Sequence, residues 1–274
     1  MTARYENLFR KLKEKNEGAF VPFVVVGDPD IETSVEIMST LIENGADALE
    51  LGIPFSDPGS DGPVIQVSDH RALTAGVTPP KCFEAIKRIR DKYPETPIGL
   101  LMYVNLVYAP GIDKFYRTAA EAGVDSILVA DVPVVMYEFG NDPWKECAEK
   151  YGIDQIFIAP PNASDYVLEA VAKYSRGYTY LLSRAGVTGT GMAAQRPVDH
   201  VMKILRENNS APCLLGFGIS EPEQVKGAIR DGADGAISGS AVVKIIEANL
   251  GNHQKLISEL ASFTRAMKDA TKKA

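Results

Sequence analysis

The segment Ala48-Leu49-Glu50-Leu51-Gly52-Ile53-Pro54-Phe55-Ser56-Asp57-Pro58-Gly59-Ser60-Asp61-Gly62-Pro63 puts one carboxylate in a short apolar run and two more in the Pro/Gly-rich stretch behind it. As a strand the run alternates faces, so Ala48, Glu50 and Gly52 share one side and Leu49, Leu51 and Ile53 the other. The leucine side suits a covering helix, and the small residues beside Glu50 leave a confined space around its carboxylate. A buried, unpaired carboxylate takes a raised pKa, which is what a general acid–base at neutral pH requires. The competing reading is a structural glutamate satisfied by an arginine or by backbone amides. Asp57 reads as the cap of an Asx turn. Asp61, between Gly59-Ser60 and Gly62-Pro63, sits where a loop can fold back over the site.

Three glycine-bearing stretches follow later apolar runs: Leu182-Ser183-Arg184-Ala185-Gly186-Val187-Thr188-Gly189-Thr190-Gly191, Gly216-Phe217-Gly218-Ile219-Ser220 and Ser238-Gly239-Ser240. Singly each is a turn. Together, at helix starts whose first amides lack partners, they suit a phosphate. By alternation Phe23, Leu101, Tyr103, Tyr178 and Tyr180 share an interior with Ala130 and Ile158, either as core packing or as a flat apolar pocket for an aromatic substrate. Asp131 either acts on a loop or caps a turn.

The elements that must position these groups are eight apolar runs: Phe20–Val26, Ala48–Ile53, Ile98–Tyr103, Ser126–Val132, Gln155–Pro160, Tyr178–Ser183, Cys213–Gly218 and Gly235–Ser240. Most are separated by amphipathic stretches with helix signals. Asp30-Ile31-Glu32-Thr33 opens one, Thr78 before Pro79-Pro80 another, and Ser220-Glu221-Pro222-Glu223 reads as a capping box. Near-continuous hydrophobicity marks parallel strands buried on both faces. Eight strand–helix units in 274 residues predict an α/β fold, a single (β/α)8 TIM barrel spanning 1–274. An extra N-terminal helix, about residues 4–15, is expected to cover the barrel bottom. A doubly wound sheet is the alternative, but Gly27-Asp28-Pro29-Asp30 is not a dinucleotide fingerprint.

The composition, 45% hydrophobic and 24% charged, is that of an ordinary soluble globule. A net charge of −7 argues against nucleic acid or an anionic membrane as a general partner, though not against a phosphorylated metabolite. No apolar run reaches transmembrane length, and the first residues lack a signal region. Cys82, Cys147 and Cys213 show no C-x-x-C spacing and fit a reducing cytoplasm, while His70, His200 and His253 lack ligand spacing. No metal site is expected.

Glu-Leu-Gly-Ile-Pro-Phe-Ser-Asp-Pro at 50–58, Asp61-Gly62-Pro63, Ala75-Gly76-Val77-Thr78-Pro79, Leu101-Met102-Tyr103, Leu128-Val129-Ala130-Asp131-Val132-Pro133, Ser183-Arg184-Ala185-Gly186-Val187-Thr188-Gly189, Gly216-Phe217-Gly218-Ile219-Ser220 and Ser238-Gly239-Ser240-Ala241 together closely resemble the tryptophan synthase α-subunit family, in register from about residue 3 to 268. The resemblance implies a carbon–carbon lyase that splits indole-3-glycerol phosphate into indole and glyceraldehyde 3-phosphate by retro-aldol cleavage. It implies Glu50 as the general acid–base and Asp61 as the group that binds the indole N–H. Phe23, Leu101, Tyr103, Ala130, Ile158, Tyr180 and Phe217 would line the indole pocket, and Gly189, Gly218, Gly239 and Ser240 would hold the phosphate. Asp131, Arg184 and Thr188 would serve loop closure, and Pro54, Asp57 and Asn105 would face the partner. That partner is a β subunit in an α-β-β-α heterotetramer, which carries pyridoxal phosphate and receives indole through a tunnel. The α chain itself is expected to need no cofactor.

The chain departs from the family pattern in three places. Gly59-Ser60 stands where the family has Leu-Ala, Val134 to Trp144 is bulky and apolar where acidic and small residues are usual, and Thr190 to Arg196 is atypical. The long, Gly-rich stretch after the sixth run is expected to be a mobile lid. Gly59 costs loop ordering roughly 0.4–1 kcal/mol relative to Ala, so activation by a β subunit should be weaker than the family pattern implies. Gly59→Leu with Ser60→Ala is expected to raise partner-stimulated turnover with little effect on the isolated chain. The check is indole-3-glycerol phosphate cleavage across a β-subunit titration; superimposable activation curves would show the departure to be neutral.

Overall fold

Short runs apolar on both faces can be buried only between layers, and here they form parallel strands. In the computed structural model, which describes residues 1–138, 143–182 and 198–273, these are β1 (Ala19–Val25), β2 (Leu49–Gly52), β3 (Ile98–Met102), β4 (Ser126–Val129), β5 (Asp154–Gln155), β6 (Ile158–Ala159), β7 (Thr179–Leu182), β8 (Cys213–Gly216) and β9 (Gly235–Ser238). Their hydrogen-bonded order is β5-β4-β3-β2-β1-β9-β8-β7-β6. The run expected as one strand over Gln155–Pro160 is two pieces, the first paired with β4 and the second with β7. The backbone ladder bridges the break: Ile156 N–H donates to the Ile127 carbonyl and Tyr180 N–H to that of Phe157, both at 3.0 Å. β5 and β6 are thus one stave that changes neighbour midway. Barrel closure requires such a stagger, and the result is an eight-stave (β/α)8 barrel.

The surrounding helices are α1 (Ala3–Lys15), α2 (Ile31–Glu43), α3 (Pro63–Thr74), α4 (Pro79–Lys92), α5 (Val104–Tyr108), α6 (Ile112–Glu121), α7 (Pro143–Tyr151), α8 (Asp165–Tyr174), α9 (Val198–Glu207), α10 (Pro222–Arg230), α11 (Ser240–Ala248) and α12 (His253–Asp269). Asp30 caps α2 by accepting from Thr33 N–H at 2.9 Å. Before α10 the cap is Glu221, not Ser220, because Pro222 occupies the first helical turn; the capping box therefore closes on Gln224, whose Oε1 accepts from Glu221 N–H at 3.0 Å. Of the described residues in the bulky Val134–Trp144 stretch, three large side chains enter the core and Met136 is exposed. Val134 and Tyr137 are buried in a 3₁₀ turn over Val134–Glu138 and Trp144 in α7, with the Tyr137 ring edge-on to Phe157 at 4.7 Å.

Two apolar layers result, one between staves and helices and one inside the barrel, the latter built on Tyr5, Val21, Ala48, Leu128, Tyr178, Tyr180 and Ile237. Tyr5 enters it from α1. Its hydroxyl lies 2.9 Å from Ser126 Oγ, and its ring centroid 5.8 Å from that of Tyr178. Among the described residues, no helix is long and apolar enough to cross a membrane, and no group of His, Cys, Asp and Glu could hold a metal.

The end of the barrel opposite the site is fastened by Asp125, 1% exposed at the entry to β4. Its carboxylate takes Arg90 Nη2 at 2.7 Å, Arg4 Nη1 at 2.9 Å and the Ile98 N–H at 2.9 Å. Arg90 also donates to the carbonyls of Gly123, Tyr93, Pro94 and Thr96. Removing one member of a buried pair leaves the other charge uncompensated, a loss of about 3–5 kcal/mol. Asp125→Ala is therefore expected to lower the urea midpoint by that equivalent. An unchanged midpoint would show that the cluster contributes nothing to stability.

Candidate active site

β2 places Glu50 beside Phe23 of β1 and Gly99 of β3, on the lumen side, as the alternation predicts. Small residues create the room. A Cβ at Gly52 would fall 2.8 Å from the Phe23 ring, and one at Gly216 only 2.3 Å from the Tyr180 hydroxyl, so both aromatic side chains lie directly over glycine backbone. Glu50 is 2% exposed. Its Oε1 accepts the Tyr178 hydroxyl at 2.6 Å. Burial pushes its carboxyl up to about 7 and the nearby Asp61 charge adds to this, while the Tyr178 bond opposes it. Among the described residues, no cationic side chain is one of the groups that set it.

Asp61 comes from the loop between β2 and α3. The loop turns through Gly59 N–H to the Asp57 carbonyl (2.8 Å) and Asp61 N–H to that of Pro58 (3.0 Å), and Pro63 then opens α3. Tyr103, the residue before α5, holds the tip: its hydroxyl donates to Asp61 Oδ2 at 2.7 Å and accepts from Ser60 N–H at 3.0 Å. The Phe55 ring stacks behind it, with centroids 5.2 Å apart. Asp61 is 8% exposed; burial raises its pKa, and the Tyr103 bond favours the ionised form. A side chain at Gly59 would meet open space, so a larger residue fits there.

On the far side, β8 ends in two successive left-handed residues, Phe217 (φ 70°) and Gly218 (φ 77°). Gly239 precedes α11, whose first residue is Ser240. The Ser238 hydroxyl donates to the Ile219 carbonyl at 2.7 Å and ties the two loops together. Unpaired amides at a helix start and tightly turned backbone form an anion cradle.

One cavity at the C-terminal ends of the staves is lined by Phe23, Glu50, Asp61, Leu101, Tyr180, Phe217, Gly218, Gly239 and Ser240. Ala130 and Ile158 line a second, apolar cavity with Leu182, and pack with Leu101 and Phe217 on the barrel's inner layer. Tyr103 acts through its hydroxyl on the loop. Asp131 Oδ1 accepts from Val104 N–H at 2.8 Å and so caps α5 from a neighbouring loop. Asp57 and Asn105 are exposed and Pro54 is buried. Arg184, Thr188 and Gly189, with the expected lid, lie outside the described residues. The bonds from Tyr178 to Glu50 and from Tyr103 to Asp61 were not foreseen. Alternation puts both tyrosines in the interior, but their partners lie 128 and 42 residues away.

The family model described as "Tryptophan synthase alpha chain" matches residues 9–272. Curated relatives of that name include one from Citrobacter koseri, 58% identical over 98% of this chain and 99% of its own length, and one from Vibrio cholerae, 60% identical over 98% and 99%. Among solved structures, tryptophan synthase subunit alpha from Legionella pneumophila superimposes with a TM-score of 0.87 at 29% identity, covering 99% of each chain. A chain of the tryptophan synthase complex from Pyrococcus furiosus does so with a TM-score of 0.79 at 32% identity, over 92% of this chain and 98% of that one. With buried carboxylates facing a glycine cradle at the mouth of the same barrel, this chain belongs to the tryptophan synthase alpha chain family.

Proposed function

We propose that this cavity is where the chain cleaves indole-3-glycerol phosphate into indole and glyceraldehyde 3-phosphate, with Glu50 as acid–base and Asp61 as the partner of the indole N–H. The observation that carries the assignment is a buried Glu50 poised at about 7 in one cavity with a second carboxylate and an anion cradle. A proton delivered to indole C3 leaves positive charge at the ring nitrogen, which a carboxylate at Asp61 offsets. The hydroxyl next to the scissile bond then gives up its proton. The C–C bonding pair returns to the ring, releasing indole and an aldehyde. Near neutrality Glu50 is populated in both protonation states, so one carboxyl can give the first proton and take the second. Phe23, Leu101, Tyr180 and Phe217 flank the indole, and Gly218, Gly239 and Ser240 take the phosphate, a set to which the family resemblance adds Gly189.

Indole passes to a β subunit, which the exposed Asp57, on the loop after β2, and Asn105, in α5, face together with Pro54. The whole chain works as one barrel unit in the cytoplasm. The chemistry assigned to it needs only proton transfer and charge stabilisation, both within reach of its side chains, and pyridoxal phosphate is placed on the β subunit.

Glu50→Gln keeps size and polarity but cannot relay a proton. It is expected to lower turnover by about 10²–10⁴ while leaving glycerol 3-phosphate affinity within a few-fold, measured by indole release and by titration. A variant that keeps a tenth of wild-type turnover removes Glu50 from this role. Because the folded carboxyl titrates near 7, above its usual 4.5, Glu50 favours the folded state below 4.5 and loses that contribution as pH rises through 7. The Gln variant should therefore be more stable than wild type at pH 8, by on the order of 3 kcal/mol, with the gap closing at pH 5 in denaturant titrations.

Asp61→Asn can still meet the indole N–H through its carbonyl but cannot offset the developing charge. A fall in turnover of roughly 10²-fold is expected, smaller than for Glu50→Gln. Weakened substrate binding at unchanged turnover would reassign Asp61 to positioning alone.

A further inference from the structure

Asp69 lies on α3 under the loop that carries Asp61, 4% exposed, and the acid–base mechanism makes no use of it. Its Oδ1 accepts the Phe55 N–H at 3.3 Å, and its Oδ2 is buried with no hydrogen-bond partner among the described residues. The charged groups around it are Asp61 on the loop and Asp28 after β1. Arg71, two residues further along α3, is already committed: it holds both oxygens of Asp28 at 2.8 and 2.7 Å, and its other side reaches Glu247 of α11 at 3.8 Å. The neighbouring Ser68 hydroxyl also donates to Asp28.

We propose that Asp69 is a positioning residue for Asp61: its carboxyl fixes the Phe55 backbone, the Phe55 ring stacks behind Tyr103, and Tyr103 presents its hydroxyl to Asp61. Each link is a contact in the structure, Asp69 to Phe55 (3.3 Å), Phe55 to Tyr103 (5.2 Å between rings) and Tyr103 to Asp61 (2.7 Å). The chain of contacts spans the loop from its start to its tip. The side chain acts as a neutral acid. Burial first, then the charge of Asp61, holds its carboxyl up to about 8. An uncharged carboxyl anchors the loop without placing a further anion beside Asp61.

The inference rests on the role given to Asp61, and the test separates the two. Asp69→Ala should lower kcat for indole-3-glycerol phosphate cleavage by about tenfold or more with KM within about threefold, since an ångström of misplacement at a reacting group can cost ~10²-fold. Asp69→Asn, which copies a neutral Asp and keeps the acceptor for Phe55 N–H, should restore kcat to within about threefold of wild type. Phe55→Leu should reproduce the loss, and the double variant with Asp69→Ala should be little worse than either single one, because both break the same chain of contacts. An unchanged kcat in Asp69→Ala, a loss that Asn does not restore, or losses that multiply in the double variant would each overturn the proposal. If Asp69→Ala fails to fold by circular dichroism, Phe55→Leu decides: full kcat there overturns it equally. Asp61→Asn is assayed alongside. Full activity in that variant overturns the role of Asp61 and the positioning with it, whereas loss there beside an unaffected Asp69→Ala overturns the positioning alone.

Discussion

The cavity is organised around a carboxyl that the barrel has taken out of water with no countercharge among the described residues. Among the described residues Glu50 has one hydrogen-bond partner, the Tyr178 hydroxyl, and its pKa rises because burial penalises the ionised form. An arginine in place of Tyr178 would pair with the carboxylate and hold it ionised, giving a more comfortable residue and a poor acid. A tyrosine donates one neutral hydrogen bond and leaves the proton exchangeable near neutrality. The glycines of the lumen follow from the same demand. Gly52 and Gly216 let the rings of Phe23 and Tyr180 lie against backbone, so the carboxyl is surrounded by hydrocarbon and aromatic edges rather than by water.

The two ends of the barrel carry different loads. At the bottom, two clusters join opposite charges: Asp125 with Arg90 and Arg4, and Lys268 with Glu17 and Asp47 at 3.1 and 3.0 Å. At the top, Asp28 is paired with Arg71, but three carboxyls stand with neutral partners, Glu50 with Tyr178, Asp61 with Tyr103 and Asp69 with a backbone amide. All three have raised pKa values. This division matches the general behaviour of these barrels, in which the C-terminal face does chemistry and the opposite face supplies stability. Tyr5 joins the halves, since it bonds Ser126 at the bottom and packs on the ring of Tyr178, the residue that holds Glu50.

The loop after β2 shows how a departure from the family pattern can leave the fold untouched. Gly59 contributes no side chain and the space beside it is open, while Ser60 meets the Tyr103 hydroxyl through both its N–H and its side chain. The rest of the loop geometry comes from the backbone turn at Asp57–Asp61. What Gly59 changes is the conformational freedom that the loop surrenders when it orders, a property of its open states.

The sequence by itself determined the staves, the order of strands and helices, and the face on which Glu50 sits, because period-two burial and the glycine and proline stops are local properties of the chain. It also carried the pairing of Glu50 with Asp61 and the glycine cradle, through motifs that resemble those of the family. Tertiary structure alone decided three things. Asp154 to Ala159 splits between two neighbours because closure of the barrel, not local propensity, sets where a stave must change partner. Tyr178 meets Glu50 because staves remote in sequence face one another across a lumen whose width no local pattern encodes, and Tyr103 meets Asp61 because the loop after β2 folds over the end of the neighbouring β3. Asp69 reads in sequence as an ordinary polar residue of a helix; only the packing of α3 beneath the loop buries its carboxyl and turns it toward the backbone of Phe55.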